Sequence, residues 1–340
     1  MTNSASESLR RLVDELSDSD SLAPWWRASF LAVPRQLFIP NTIWREVGSG
    51  DLVAVSRSDD PGRWRDLVEG NDAVITQVDD GHPSRPGSAG WVPTSSASMP
   101  KMVAVMLKHL DVQPGHRVLE IGTGTGWNTA LLAHLLGAEQ VTSIEIDPDL
   151  ATHARTALSD AGFGAVVVIS GDGTRLPAGC PVRRGDRHCG LSERAVCLGL
   201  AQTRPGGRIV TPWGNPYFDG GLLTLTASTD GAASGRIVGK SSFMYLRDQR
   251  IPRGRLRDIL GTAQQRAATS GSPRHGYQGG GPVSSASSVA SATATTGNAV
   301  TCTAGCPSSL RPATTVRSSG FRPAAINPAR SWSAPRTARR

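Results

Sequence analysis

The run Arg117-Val118-Leu119-Glu120-Ile121-Gly122-Thr123-Gly124-Thr125-Gly126 constrains this 340-residue chain more than any other stretch. It reads as a buried strand that breaks into a glycine-rich turn and then opens a helix at Trp127-Asn128-Thr129-Ala130-Leu131-Leu132. Glycines let a backbone approach a ligand closely, and the first helical turn offers unpaired N–H groups and a positive dipole end. A dinucleotide fold places Gly-x-Gly-x-x-Gly here, its third glycine packing helix on strand. This chain instead has Gly-x-Gly-x-Gly, with the carboxylate Glu120 two residues before the first glycine. A carboxylate in that place repels a pyrophosphate and suits a ligand that carries an ammonium and a sulfonium.

Two further β-units follow. Residues 141–147 form a second apolar strand ending in acids, and Glu145 lies about 20 residues beyond the loop, where Rossmann-like folds place a ribose-binding carboxylate. The next helix starts at Asp147-Pro148-Asp149, an N-cap acid followed by proline, and lines up Leu150, Ala154, Ala157 and Leu158 on one face. A third strand, residues 165–169, runs into Ser170-Gly171-Asp172-Gly173. Open α/β sheets bind ligands at the carboxyl ends of their strands, which is where these polar residues fall. The loop and its neighbours resemble motif I and the following motifs of S-adenosyl-L-methionine-dependent methyltransferases. The resemblance implies that cofactor, bound by Glu120, Gly122, Thr123, Gly124, Gly126, Asn128, Glu145, Ile146, Asp172 and Gly173.

Composition narrows the partners. No apolar run reaches the ~18 residues that span a bilayer, and residues 1–20 lack a secretory core, so the expectation is a reduced cytoplasmic protein without a membrane partner. Cys180, Cys189, Cys197, Cys302 and Cys306 fit no zinc template, and no metal site is expected. The formal charge of +8 comes from the carboxyl-terminal part: residues 261–340 hold nine arginines and no Asp, Glu or Lys. Removing those nine from 36 basic residues leaves 27 against 28 acids, a net −1 for residues 1–260. That balance gives no global basic excess for phosphate neutralisation, and no specific nucleic-acid partner is expected.

The pattern along the chain predicts an α/β fold, a Rossmann-like doubly wound sheet with a C-terminal antiparallel hairpin. It adds an N-terminal helical extension and a disordered tail. Residues 1–98 form the extension and substrate loop, 99–247 the cofactor domain, and 248–340 the Arg/Ser/Ala/Pro-rich tail, which buries too little apolar surface to order itself. Helices are expected at 7–16 and 23–31, a polar connection with one apolar run at 41–92, and a helix whose Met102, Val103, Met106, Leu107 and Leu110 face a core. The fourth, central strand is not legible: Cys180-Pro181-Val182-Arg183-Arg184-Gly185-Asp186-Arg187 has no apolar pattern. Residues 176–200 and those from 261 read as a GC-rich coding region translated in a shifted frame, which predicts a missing strand and a poorly folded or inactive chain. Order resumes at Thr203, with a fifth strand and a hairpin around Asp230-Gly231.

Val33-Pro34-Arg35 with Phe38-Ile39-Pro40 is similar to the amino-terminal signature of the protein-L-isoaspartate O-methyltransferase family. Ser96, Ala97, Ser98 and Pro100 take the Thr, Ile, Ser and Pro places of its substrate loop, with alanine for isoleucine. Arg204-Pro205-Gly206-Gly207-Arg208 resembles its later turn motif, and the matches span roughly residues 6–246. The family implies a monomeric enzyme that methylates the free carboxylate of isoaspartyl residues in damaged proteins, with Ser98 as the substrate-loop serine. The Pro-Thr-Ser-Ser-x-Ser loop also resembles longer members that methylate one aspartate of a modified peptide, and an inactive relic is a further alternative. A carboxylate acceptor, with a reference pKa near ~3.9, is ionised at neutral pH and needs no general base. The chemistry then rests on positioning and water exclusion, in keeping with a sequence that offers no His/Asp or Cys/His pair. Ser98 has a second expected role as N-cap of the helix that follows it.

Overall fold

The computed structural model describes residues 6–48, 51–83, 89–173, 184–187, 203–215, 218–247, 250, 293–295 and 299–303. Helix α1 (Glu7–Asp18) begins at Ser6, whose hydroxyl accepts the Leu9 N–H at 3.2 Å, and it buries Val13 and Leu16. A 3-10 turn at Pro24–Trp26 leads into α2 (Arg27–Ala32), which buries Phe30. Both helices lie where apolar spacing predicts them.

Residues 42–97 are more than the polar connection expected: after the 3-10 turn Arg35–Leu37 the extension adds a small sheet and one further helix. They form β1 (Thr42–Glu46), β2 (Leu52–Ser56), α3 (Pro61–Glu69), β3 (Val74–Val78), β4 (Ala89–Gly90) and β5 (Pro93–Ala97). The strands pair antiparallel in the order β4-β2-β1-β3-β5. Trp64 and Val68 of α3 share a core with Ile39, Ile43, Val55, Val74 and Ala97, and the Trp64 indole donates to the Pro40 carbonyl at 3.1 Å. Strands of two to five residues, with Ile43 as the one buried side chain of β1, carry too little alternation to be read from sequence.

Next, α4 (Pro100–Leu110) buries Val103, Met106, Leu107 and Leu110. Its N-cap is Met99, with no side-chain cap hydrogen bond and proline in the first turn, so the expected capping role of Ser98 is corrected. The cofactor-type units then follow as β6 (Val118–Ile121), α5 (Trp127–Leu136), β7 (Val141–Glu145), α6 (Pro148–Asp160) and β8 (Val167–Ser170). All four residues of β6 are buried. Val118 faces the main core with α4 and α5, while Leu119 and Ile121 pack with Ile144, Ile169 and Leu246. Burial on both faces is the mark of a central parallel strand.

The central strand that the apolar pattern does not reveal is β9 (Arg184–Arg187). It pairs parallel with β6 on one side and with β10 (Arg208–Asn215) on the other. The expectation of a gap in the sheet is thereby corrected. A backbone ladder is independent of side chains, so Arg-Gly-Asp-Arg can fill the place without an apolar signature. The rest of 176–200 lies outside the described residues.

The turn before β10 has Gly206 at φ +76°, and Arg208 donates to the His109 carbonyl at 3.0 Å. The expected hairpin is β11 (Phe218–Ala227) with β12 (Ala232–Lys240). Two short tail strands, β13 (Thr293–Thr295) and β14 (Ala299–Thr303), continue the sheet from β12, which corrects the expectation of a wholly disordered tail for those residues. An open sheet edge can recruit Thr-, Ala- and Val-rich strands through backbone pairing alone. The remaining tail lies outside the described residues; among the described residues no helix is long and apolar enough to cross a membrane.

Candidate active site

The nine-stranded sheet runs β13-β14-β12-β11-β10-β9-β6-β7-β8. Strand order therefore reverses at β6: β7 and β8 lie to one side, β9 and β10 to the other. A cleft of about 1290 Å³ opens at this switch point, walled by the glycine loop and the ends of β7 and β8. Across it stand β5 with Ser98 and Met99, and the segment from Ser241 to Arg247.

The loop is built by its glycines. Gly122, Gly124 and Gly126 have φ of +91°, +54° and +88°, a region closed to most side chains. Gly122 and Thr123 donate to the Ile144 carbonyl at 2.8 and 3.3 Å, so the end of β7 holds the loop. Gly126 ends it as the N-cap of α5 and packs on Leu158 and Ala154 of α6 instead of lining the cleft.

Beneath the loop lies Glu120, fully buried. Asn128 Nδ2 donates to its Oε1 at 2.8 Å, while the hydroxyls of Thr129 and Ser143 (2.6 Å) both donate to its Oε2. Because Ser143 gives its one proton to Glu120, the 2.6 Å contact between Thr123 and Ser143 has Thr123 as donor. The carboxylate thus ties β6, β7 and the first turn of α5 together, a role not visible in the motif. It also borders the cleft, where the sequence places it.

Glu145 closes β7. Its Oε2 accepts the Gly124 N–H at 2.9 Å and its Oε1 the Asp147 N–H at 3.1 Å. Burial pushes its carboxyl up from the ordinary range, against the lowering effect of those two N–H groups. Ile146 is partly exposed in the cleft, and Asp172 and Gly173 stand at the end of β8. A Cβ on Gly173 would lie 2.6 Å from Ile121 Cγ2, so only glycine fits. Gly173→Ala is expected to shift this wall and cost about 1–3 kcal/mol of stability together with cofactor affinity. Urea melts and calorimetric titration with S-adenosylhomocysteine check it, and an unaltered variant would count against this placement.

Asp147 links the two halves of the cleft. Its Oδ2 accepts from Gln77 Nε2 at 3.0 Å and Arg247 Nη2 at 2.9 Å, and its Oδ1 accepts the Asp149 and Leu150 N–H groups. Burial alone would raise this carboxyl, but those four donors outweigh it and hold it below the usual range. Arg247 and Arg250 also meet Asp80 at 3.1 and 2.8 Å. Gln77, Asp80, Arg247 and Arg250 escape sequence reading because their partners lie 70 to 170 residues away.

Ser98, Glu120, Gly122, Thr123, Gly124, Asn128, Glu145, Ile146, Asp172 and Gly173 all border this one cleft. A glycine cradle, an acid after the second strand and apolar walls from Ile121, Ile144 and Leu150 fit a nucleoside-bearing ligand. Among the described residues no group of His, Cys, Asp and Glu is arranged to hold a metal. Fold and cleft together define a Rossmann-like protein with a cleft for such a ligand at the switch point of its sheet.

Residues 88–250 match the family described as Protein-L-isoaspartate(D-aspartate) O-methyltransferase. The chain is 37% identical over 150 residues to the protein-L-isoaspartate O-methyltransferase of Pyrococcus horikoshii, covering 44% of this chain and 67% of that one. It is also 37% identical over 155 residues to the Methanocella arvoryzae protein of that name, covering 43% and 81%. It therefore belongs to the protein-L-isoaspartate O-methyltransferase family. A solved Plasmodium falciparum structure, titled a putative protein-L-isoaspartate O-methyltransferase in complex with S-adenosyl-L-homocysteine, has a TM-score of 0.52 at 14% identity. That likeness covers 72% of this chain and all of that one, and it shows the shared Rossmann-like fold.

Proposed function

We propose that this chain transfers the methyl group of S-adenosyl-L-methionine to the free carboxylate of an L-isoaspartyl residue in a damaged protein or peptide. The observation that carries the reading is one cleft shared by the glycine loop, Glu145 and Asp172 on one wall and Ser98 on the other. When bound, the cofactor supplies a methyl group on a positively charged sulfur. Glu145 would accept hydrogen bonds from ribose hydroxyls and Asp172 from the adenine amine, and Ile121, Ile146 and Leu150 would supply apolar surface for the base. Ser98 donates a hydrogen bond to the acceptor carboxylate, which is already ionised at neutral pH. Catalysis in this reading is positional, holding the ionised acceptor in line with the methyl donor.

The same reading takes residues 1–98 as the acceptor-side unit and 99–247 as the cofactor unit. It takes the protein to act in the cytoplasm as a monomer, and without a nucleic-acid partner, the last supported by the −1 charge of residues 1–260. An isoaspartyl peptide is expected to accept methyl groups at least tenfold better than its aspartyl isomer in a radiolabel assay. Equal labelling of the two sinks the reading. Labelling confined to one ribosomally made peptide favours instead an aspartyl methyltransferase of peptide modification, the function suggested by the Pro93–Ser98 resemblance.

A further inference from the structure

The Val33-Pro34-Arg35 signature has no part in the chemistry above, yet Arg35 reaches both halves of the cleft. Its Nη1 donates to the Val68 and Gly70 carbonyls at 3.3 and 3.4 Å, where α3 ends. Its Nη2 donates to the Ala97 carbonyl at 2.7 Å, one residue before Ser98. The guanidinium lies 5.7 Å from the centre of the Trp127 ring, the first residue of α5. In return the Trp127 indole N–H donates to the Val33 carbonyl at 3.0 Å. One tripeptide thus grips the start of the cofactor helix through Val33 and the end of the acceptor strand through Arg35.

Packing alone does not account for an arginine here. Arg35 is buried, and taking a guanidinium out of water is costly. Desolvation pushes its pKa down to about 9, partly opposed by Asp72, so it remains charged at neutral pH. The strand it holds rides directly on the glycine loop: a Cβ on Gly124 would stand 3.7 Å from the Ser96 carbonyl oxygen.

We infer that Arg35 is a positioning residue for methyl transfer, fixing Ala97, and through it Ser98, at a set distance from the cofactor loop. The inference rests on the methyltransferase reading above. A misplacement of about 1 Å between reacting groups lowers a rate on the order of 100-fold, while binding of either ligand alone tolerates it better.

The test uses the full chain and its Arg35→Lys variant. Three quantities are measured: kcat and KM with an isoaspartyl peptide, the Kd for S-adenosylhomocysteine by calorimetry, and the thermal melt. Lysine keeps the charge but cannot span three carbonyls with a planar fork. The expected result is a kcat lower by about 10- to 100-fold, with a cooperative melt and a cofactor Kd within about twofold of the parent. A variant with parental kcat overturns the inference. So does a parallel loss of kcat and cofactor binding, which marks a purely structural residue. If Arg35→Lys does not melt cooperatively, Trp127→Phe decides, since it keeps an aromatic ring beneath Arg35 while removing the N–H to Val33 along with part of the indole surface. Lower kcat at unchanged cofactor Kd supports the joint, and parental kcat overturns it. A parent chain that binds S-adenosylhomocysteine but methylates no isoaspartyl peptide fails the functional reading itself, an outcome distinct from a failure at Arg35.

Discussion

Replacing Glu120 by alanine is expected to lower the unfolding free energy by about 2–4 kcal/mol, because three buried donors lose their acceptor together. The substitution removes the acceptor for Asn128, Thr129 and Ser143, all inside the sheet–helix junction. Each orphaned donor costs roughly 1–3 kcal/mol, and the three losses overlap. Against a typical total of ~5–15 kcal/mol this is a large fraction. The loop should loosen first, because Thr123 reaches Glu120 through Ser143. Urea unfolding followed by far-UV circular dichroism checks the effect. A shift under 1 kcal/mol, with the same m-value, would show that the network contributes little.

The second large effect concerns cofactor binding. Glu145→Ala is expected to weaken S-adenosylhomocysteine by about 1.5–3 kcal/mol, the range for a hydrogen bond to a charged group. That corresponds to roughly 10- to 150-fold in Kd. Part of the loss comes from the loop, since Glu145 also anchors the Gly124 N–H. The sign of the pH dependence follows from burial. Desolvation raises the carboxyl of the free protein, whereas ribose hydroxyls that donate to it favour the ionised form. Affinity is therefore full well above the raised pKa and is lost as pH falls through it. The loss should begin at a higher pH than for an ordinary carboxylate. Glu145→Gln should bind weakly with a flattened profile over the same range. An unchanged Kd in folded Glu145→Ala, or a parent profile that is flat down to the ordinary carboxylate range, would remove Glu145 from the site.

Glu120, Glu145 and Asp172 show what local sequence carries. Each lies at or just beyond the end of an apolar strand and shortly before a turn or helix start, so backbone periodicity alone sends it to the carboxyl end of a parallel sheet. The cleft could be drawn from those positions before any coordinates. The internal partners of Glu120 could not, because the motif specifies a carboxylate but not which hydroxyls converge on it. Strand β9 shows the opposite limit. Its Arg-Gly-Asp-Arg run has no apolar signal, and its place follows only from backbone pairing with β6 and β10.

By itself, then, the sequence determined the three β-units, their order, the glycine loop and the acids at the strand ends. These depend on contacts within about 30 residues, which apolar spacing and turn chemistry encode directly. Only the tertiary structure decided that residues 42–97 form a sheet whose strand β5 lies against the cofactor loop. It likewise decided that Arg35 holds Ala97 across 62 residues, and that Asp147 is shared by Gln77 and Arg247. Such pairings leave no local trace. A buried carbonyl or carboxylate accepts from any donor the fold delivers, and delivery is set by how the two sheets pack.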